Sequence, residues 1–200
     1  ARRCAAVGAT LVHYSTDYVF NGRATSPYPV DAPIAPINAY GRSKAVGERL
    51  LAESGCRSLL VRTSWLYAPP RMGGKNFVLT MARLLRDRDE VQVGNDQRAR
   101  PTSAQHLAAA TLKLLENGAA GDYHVTDGGQ CTWCDLAAYI GEQIGASCNV
   151  KPCTSDQFPR PAKRPGYSEL DLSKTEALIG PMTDWRVNVG EVLRELSAGR

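Results

Sequence analysis

The 200-residue sequence lacks a run of 18 or more apolar residues, a recognisable signal peptide and a concentrated basic stripe. The first two absences argue against a membrane span and against secretion, so we expect a cytoplasmic protein. A net charge of only +4, with scattered basic residues, argues against nucleic-acid binding but is compatible with a small anionic substrate. Those scattered residues are Arg83, Arg86, Arg88, Arg98, Arg100, Arg160, Lys163 and Arg164.

Six cysteines offer two interpretations. Cys131 and Cys134 form a CxxC, and with Cys148 and Cys153 they could be imagined as zinc ligands. The second pair lacks the tight spacing of zinc ribbons, and Cys134 opens an amphipathic segment. We therefore expect free thiols in a reducing compartment and predict no metal site.

Strand and helix patterns alternate along the chain without internal repeats. Strands are predicted at 11–16, 58–63, 91–93 and 123–127, and helices at 39–53, 76–87, 103–117 and 132–145. Ser103 is a plausible N-cap of the third helix, which Gly118 and Gly121 would end. The Pro- and Arg-rich stretch 151–168 is predicted to be a loop or linker before two short C-terminal helices. This alternation predicts an α/β fold with βαβ units and a parallel sheet covered on both faces.

Polar side chains end the first predicted strand, where Ser15, Thr16 and Asp17 follow one another. In open α/β sheets the ligand crevice lies at the carboxyl ends of the strands, so these residues are candidates for a site. The alternative is that they only cap a turn or helix, as Ser, Thr and Asp often do.

Tyr40 and Lys44, four residues apart, would share one face of the next helix. A phenol is a weak acid at neutral pH, but a neighbouring ammonium favours its ionised form, and such a pair can exchange a proton with a carbonyl or alcohol. The alternative is a surface tyrosine packed along the lysine stem, with Lys44 paired to Glu48. The Ser-Thr pair upstream favours the chemical interpretation, because a hydroxyl there could hold the substrate oxygen near the phenol.

Six blocks of the sequence, in order, carry a family resemblance: "STDYVFNG", "PINAYGRSKAVGE", "VRTSWLYA", "KNFV", "NDQRARPTSAQHLA" and "RPGYSELD". Together they resemble the dTDP-4-dehydrorhamnose reductases of the extended short-chain dehydrogenase/reductase superfamily. The resemblance implies reduction of the C4 ketone of dTDP-4-dehydro-L-rhamnose to dTDP-L-rhamnose by NADPH or NADH, for cell-surface polysaccharide.

The resemblance also implies roles for individual residues. Tyr40 would be the general acid, Lys44 would hold the nicotinamide ribose and favour the phenolate, and Thr16 would bind the substrate carbonyl. Ser15 would lie with Tyr40 and Lys44 at the cofactor. The residues implied for the nucleotide-sugar pocket are Asp17, Tyr18, Trp65, Asn76 and Arg164. For Trp65 the alternative is a core aromatic. A homodimer and a Mg²⁺ ion are possible in this family, but no carboxylate cluster can be matched to the ion.

Related activities are distinguished by the strand end. Sugar-nucleotide 4,6-dehydratases carry an Asp-Glu pair after the strand-end threonine, whereas here Tyr18 follows Asp17. An elimination would therefore lack its base. An epimerase or another nucleotide-sugar reductase stays open. So does a non-catalytic binding role that resembles the regulatory subunit of methionine adenosyltransferase, although that role gives no physical reason to retain Thr16, Tyr40 and Lys44.

Two departures from the family pattern stand out. Arg98 and Ala99 follow "NDQ" where the family has an aromatic residue and a glycine, which predicts less close packing of that loop. No Gly-rich GxxGxxG segment precedes the strand at 11–16. The sequence therefore resembles the C-terminal two-thirds of the enzyme, without the N-terminal nucleotide-binding βαβ units, and we expect this polypeptide alone to bind NADPH poorly.

The expected fold is the second half of a Rossmann-type doubly wound parallel sheet with a small C-terminal substrate-binding α/β lobe. Residues 1–75 would form the C-terminal half of the Rossmann-like domain. Residues 76–200 would mainly form the lobe, with 95–125 returning to the sheet. Preference for NADPH or NADH would be decided outside these residues.

Overall fold

The computed structural model describes residues 1–157 and 161–198, so Arg160 of the scattered basic residues lies outside the described part. The helices are α1 (Arg2–Val7), α2 (Ala39–Glu53), α3 (Phe77–Asp87), α4 (Ala104–Glu116), α5 (Trp133–Gln143), α6 (Ser173–Ile179) and α7 (Trp185–Ala198). The strands are β1 (Leu11–Thr16), β2 (Ser58–Thr63), β3 (Leu66–Tyr67), β4 (Glu90–Gly94), β5 (Arg98–Ala99), β6 (Thr102–Ser103), β7 (Gly121–His124), β8 (Cys131–Thr132) and β9 (Asn149–Cys153). Short 3₁₀ helices occupy Asp17–Val19, Pro70–Met72 and Ser155–Gln157.

A three-stranded parallel sheet in the order β1-β2-β7 underlies the site. Leu59 and Val61 of β2 point to one face, where they pack against Leu107 and Leu114 of α4. The alternate residue Arg62 points to the other face and reaches α2. Helices therefore cover both faces, and the predicted α/β fold with parallel strands is confirmed.

Helix α2 begins at a tight junction with the end of β1. Asn38 caps it by accepting a hydrogen bond from Gly41 N at 2.8 Å. A Cβ on Gly41 would lie 2.1 Å from the backbone oxygen of Tyr18, so only glycine allows this approach. The glycine thereby fixes the first turn of α2 against the 3₁₀ helix that follows β1.

A second hydrophobic cluster joins the later elements. It includes Val78 of α3, Val91 of β4, Ile140 of α5 and Val189 of α7. Strand β4 pairs in parallel with β9, and β5 pairs antiparallel with β8. This cluster places the N-termini of α3 and α5 beside the carboxyl end of the main sheet, where the cleft described below opens.

Several predicted boundaries are wrong. Residues 125–127 are not part of β7, and Gly121 begins this strand instead of ending the preceding helix. The stretch 151–168 contains the end of β9, which was missed because Pro152 lacks the N–H of a typical strand residue. The last helix, α7, is 14 residues long and is not short.

The predicted N-cap position of α4 is confirmed, whereas the predicted looser packing of one loop is wrong. Ser103 occupies the N-cap position of α4, but its side chain makes no capping hydrogen bond. Its backbone N–H instead donates to Asp127 Oδ2 at 3.1 Å. The loop around Ala99 packs closely despite its departure from the family pattern, because this small residue is fully buried in β5. Arg98 N donates to Gly166 O at 2.8 Å, which closes the loop against the "RPGY" segment.

Candidate active site

The carboxyl end of β1 presents three buried polar residues. Thr16 caps the 3₁₀ helix by accepting a hydrogen bond from Tyr18 N at 3.2 Å, and its hydroxyl donates to Asp17 Oδ1 at 2.9 Å. Ser15 Oγ is buried and has no hydrogen-bond partner among the described residues. Capping and site formation are therefore not alternatives here, because the residues that cap the turn also line the cleft.

Asp17 is buried to a degree that the sequence did not indicate. Only 2% of its surface is exposed, and burial raises the pKa of its carboxyl group to about 6 from 3.8, against the opposing effect of the hydrogen bonds it accepts. The Thr16 hydroxyl group already uses its proton in the hydrogen bond to this carboxyl group. Thr16 can therefore donate to a substrate oxygen only after this hydroxyl rotates, and otherwise it presents a lone pair.

Helix α2 brings Tyr40 and Lys44 to the same cleft. Tyr40 is 55% exposed, and its ring meets that of Tyr18 edge to face with 5.9 Å between centroids. Lys44 Nζ donates to Tyr14 O at 2.5 Å. The main chain of β1 thus fixes the ammonium group near the phenol-bearing face of the helix.

The alternative pairing of Lys44 with Glu48 is wrong. Glu48 is buried and accepts hydrogen bonds from Arg62 Nε at 3.0 Å and from Arg62 Nη2 at 2.8 Å. Arg62 Nη2 also lies 3.1 Å from Asp122 Oδ2. This ion pair ties α2 to β2 beneath the site and leaves Lys44 directed to the strand end.

An open cleft of about 1300 Å³ contains every site residue predicted from the sequence. These residues are Ser15, Thr16, Asp17, Tyr18, Tyr40, Lys44, Trp65, Asn76 and Arg164. A smaller hollow of about 540 Å³ on another flank of α2 contains none of them. One cleft therefore joins side chains that are up to about 150 positions apart in the sequence.

The outer residues of the cleft are held in different ways. Asn76 caps α3, accepting from Leu79 N at 3.1 Å and donating to Ala68 O at 2.8 Å, so its amide is engaged in local structure. Trp65 is half-buried: it lines the cleft and also packs against the second hydrophobic cluster. Arg164 is exposed at the rim, and Asn38 Nδ2 anchors this segment by donating to the preceding residue's carbonyl, Lys163 O, at 2.9 Å.

Sequence reasoning missed several residues of the cleft. Lys75 and Lys163 add positive charge, and each is a direct neighbour of a predicted residue, which is the signal that could have found them. Gln97 and Trp133 also line the cleft, together with Phe77. Trp133 lies in an amphipathic helix, so its pattern predicted only packing.

All six cysteines are free, and in residues 1–157 and 161–198 no three His, Cys, Asp or Glu side chains form a group that could hold a metal ion. Burial raises the pKa of the Cys134 thiol. Within the same described ranges, no helix is both long and apolar enough to cross a bilayer.

A parallel sheet that ends in Ser-Thr beside a Tyr-x-x-x-Lys helix, with both facing one cleft, defines an α/β protein of the short-chain dehydrogenase/reductase type. The profile described as "RmlD substrate binding domain" matches residues 1–198. The chain belongs to this family, which confirms the resemblance predicted from the sequence.

Individual relatives agree with this assignment. The chain is 40% identical to the Bacillus subtilis spore coat polysaccharide biosynthesis protein SpsK, covering 96% of this chain and 66% of that protein. It is also 40% identical to the dTDP-4-dehydrorhamnose reductase of Shigella flexneri, covering 95% and 67%. The crystal structure of the Bacillus anthracis dTDP-4-dehydrorhamnose reductase in complex with NADP is 38% identical, with a TM-score of 0.88 over 95% of this chain and 67% of the other. The chain thus spans about two thirds of the length of these relatives.

Proposed function

We propose that this chain supplies the general acid and the sugar-nucleotide pocket of a dTDP-4-dehydrorhamnose reductase. The observation that carries the proposal is the single cleft in which Thr16, Tyr40 and Lys44 lie together with a basic rim. The reaction is reduction of the C4 ketone of dTDP-4-dehydro-L-rhamnose to the alcohol of dTDP-L-rhamnose. Relatives that carry the reductase name, at about 40% identity, support it.

Tyr40 is the proton donor in this proposal. As C4 of the sugar gains a hydride, negative charge develops on its oxygen, and the exposed Tyr40 hydroxyl can transfer a proton to it. The Lys44 ammonium stabilises the phenolate that remains. Thr16 orients the same oxygen once its hydroxyl turns away from Asp17.

A nicotinamide cofactor fits the residues on the cofactor side. An ammonium group has three N–H donors, and Tyr14 O takes one from Lys44, so others can hold ribose hydroxyls. The buried Ser15 Oγ, without a partner in the described part of the chain, can accept or donate one more hydrogen bond. NADPH or NADH supplies the hydride when bound, and the Bacillus anthracis relative was solved with NADP.

The basic rim suits the diphosphate of the substrate. Lys75, Lys163 and Arg164 are exposed side chains on the lining of the cleft, and each can contact phosphate oxygens. Residues Trp65 and Tyr18 would contact the sugar between the rim and Tyr40.

The same proposal assigns one part of the chain to the cofactor and the other to the substrate. Residues 1–75 would belong to the cofactor side of a Rossmann-type sheet, and 76–200 mainly to the substrate lobe. The cluster of β2, α4 and β7 supports the return of 95–125 to the sheet, and the cluster of α3, β4, α5 and α7 supports a separate lobe. A cytoplasmic location, expected from the sequence, stays a prediction.

Tyr40→Phe tests the assigned acid. In the natural polypeptide that carries this chain, we expect it to lower kcat for NADPH oxidation with the 4-dehydro sugar about 10²- to 10⁴-fold, with little change in KM. Tyr139→Phe is the matched control, because the Tyr139 hydroxyl donates to Arg186 O outside the cleft. Unchanged turnover in Tyr40→Phe would remove the acid from the mechanism. Absence of turnover in the unsubstituted protein would favour the non-catalytic binding role.

A further inference from the structure

Trp65 has a strained main chain at the edge of the cleft. Its φ is +45°, and among the described residues it is the single non-glycine with a positive φ. A left-handed conformation is unfavourable for a non-glycine residue, and it persists only where the surroundings enforce it. Contacts between Trp65 and its neighbours must therefore hold the residue in this conformation.

A second indole supplies the main contact. The rings of Trp65 and Trp133 are stacked with 3.6 Å between centroids and 11° between planes. Phe77 approaches Trp133 with 4.5 Å between centroids, and Trp133 Nε1 donates to Gln97 Oε1 at 3.2 Å. The Trp133 ring is thus held by two aromatic rings and one hydrogen bond.

The hydrogen bond of Trp133 continues into a short polar network. Gln97 Nε2 donates to Ser155 Oγ at 2.8 Å, and Ser155 donates from its N and Oγ to Asp96 at 2.7 and 3.0 Å. This network joins the loop after β4 to the 3₁₀ helix after β9. Trp133 therefore stands between Trp65 and a fixed framework, and it begins helix α5 with a capping box at Thr132.

We propose that Trp133 is a positioning residue that holds the Trp65 indole in place as a preformed wall for the sugar of the nucleotide substrate. The inference deepens the proposed function and rests on it for the identity of the ligand. When a pocket wall is already ordered before the substrate binds, less conformational entropy is lost on binding. Loss of Trp133 should therefore weaken substrate binding and leave the proton transfer from Tyr40 largely intact.

The stack itself can be measured on the 200-residue chain without any activity. Two indoles in contact couple their electronic transitions and give a pair of far-UV circular dichroism bands of opposite sign. We expect this couplet in the unsubstituted chain and its loss in both Trp65→Phe and Trp133→Phe. Trp185→Phe is the control that keeps the couplet, because the Trp185 ring is not part of this stack and instead lies edge to face with Tyr139. A couplet that is absent from the unsubstituted chain, or survives in Trp133→Phe, would overturn the proposal.

Kinetics test the consequence of the stack. In the natural polypeptide, we expect Trp133→Leu to raise KM for the 4-dehydro sugar nucleotide ~10-fold with kcat changed less than ~3-fold, and Trp133→Phe to restore most of the loss. KM for NADPH should not move. A Trp133→Leu protein with an unchanged sugar KM, or with kcat as its main loss, contradicts the positioning role. Failure of the proposed function is distinct, because it would appear as no NADPH oxidation by the unsubstituted protein.

Discussion

Asp17 is the residue in the site whose ionisation is most affected by burial. Its pKa rises from 3.8 to about 6, so between these values the folded chain keeps a proton that the unfolded chain has released. The free energy of unfolding therefore falls, on account of this group, as pH rises from about 4 to about 6. At neutral pH, the free energy of unfolding should therefore be lower with Asp17 than with an isosteric neutral residue at this position.

Asp17→Asn tests this linkage. Relative to the unsubstituted chain, we expect its free energy of unfolding in urea to rise between pH 4 and pH 7 by at most about 3 kcal/mol. Asp127, whose pKa burial also raises to about 6, and His124, whose pKa burial lowers to about 3, titrate in both proteins and cancel in the difference. Asp31→Asn, at an exposed position, controls for loss of one carboxylate. A difference that does not change with pH would contradict the buried ionisation of Asp17.

The ion pair beneath the site gives a second prediction for single residues. Glu48→Ala leaves Arg62 buried without its main partner, so we expect a loss of about 3–5 kcal/mol in the free energy of unfolding. Glu53→Ala on the same helix breaks an exposed pair with Arg49 and should cost less than about 1 kcal/mol. Urea unfolding of the two variants side by side measures the difference, and equal effects would show that the buried pair is not what ties α2 to β2.

Single residues also show where sequence reasoning stops. Tyr40 and Lys44 could be predicted because their spacing on one helix determines their common face. The partner of Glu48 could not, because Lys44 is four residues away and Arg62 is on a strand whose register is set by tertiary packing. The sequence pattern around Trp133 likewise indicated only a helix that packs on the core. The stacking of Trp133 on Trp65 depends on how two segments that are distant in the sequence pack together.

At the scale of elements, the junction between β1 and α2 determines where Tyr40 lies. Gly41→Ala would place a Cβ 2.1 Å from Tyr18 O, so the helix start must shift away from the 3₁₀ helix. We expect a loss of about 1–3 kcal/mol in the free energy of unfolding. The shift should also lower kcat, because it moves Tyr40, the proposed proton donor.

Gly47→Ala is the matched control in the same helix. A Cβ there would meet only His13 Nε2 at 3.6 Å, an ordinary contact, and alanine stabilises a helix by about 0.5–1 kcal/mol over glycine. Thermal unfolding of both variants separates helix propensity from the close approach. A Gly41→Ala protein as stable as Gly47→Ala would contradict the tight junction.

Elements differ in how well the sequence predicts them. β1, α2 and β2 follow from apolar periodicity and match their predicted bounds. β9 does not, because Lys151 and Pro152 carry no strand signal and the strand is stabilised by pairing with β4. The end of β7 was also predicted too late in the sequence. The pairing of β7 with β2 ends at His124, although Thr126 and Asp127 continue the polar pattern of the sequence.

At the scale of the whole molecule, the chain spans about two thirds of the length of its relatives, and Thr16, Tyr40, Lys44 and the basic rim line one cleft within it. Weak NADPH binding by the 200-residue chain alone stays a prediction, as does a homodimer. The fold class was predictable from alternation of strands and helices. The cleft was predictable only through the family resemblance, because its residues come from separate stretches of the sequence.

Transfer of a labelled hydride tests the central claim most directly. The natural polypeptide that carries this chain would be incubated with NADPH deuterated at the transferable position and dTDP-4-dehydro-L-rhamnose, and the sugar product would be analysed by NMR. The account predicts stoichiometric oxidation of the cofactor and deuterium at C4 of dTDP-L-rhamnose. Sugar binding without cofactor oxidation, or interconversion of sugars with no net oxidation, would contradict it and favour a binding role or an epimerase.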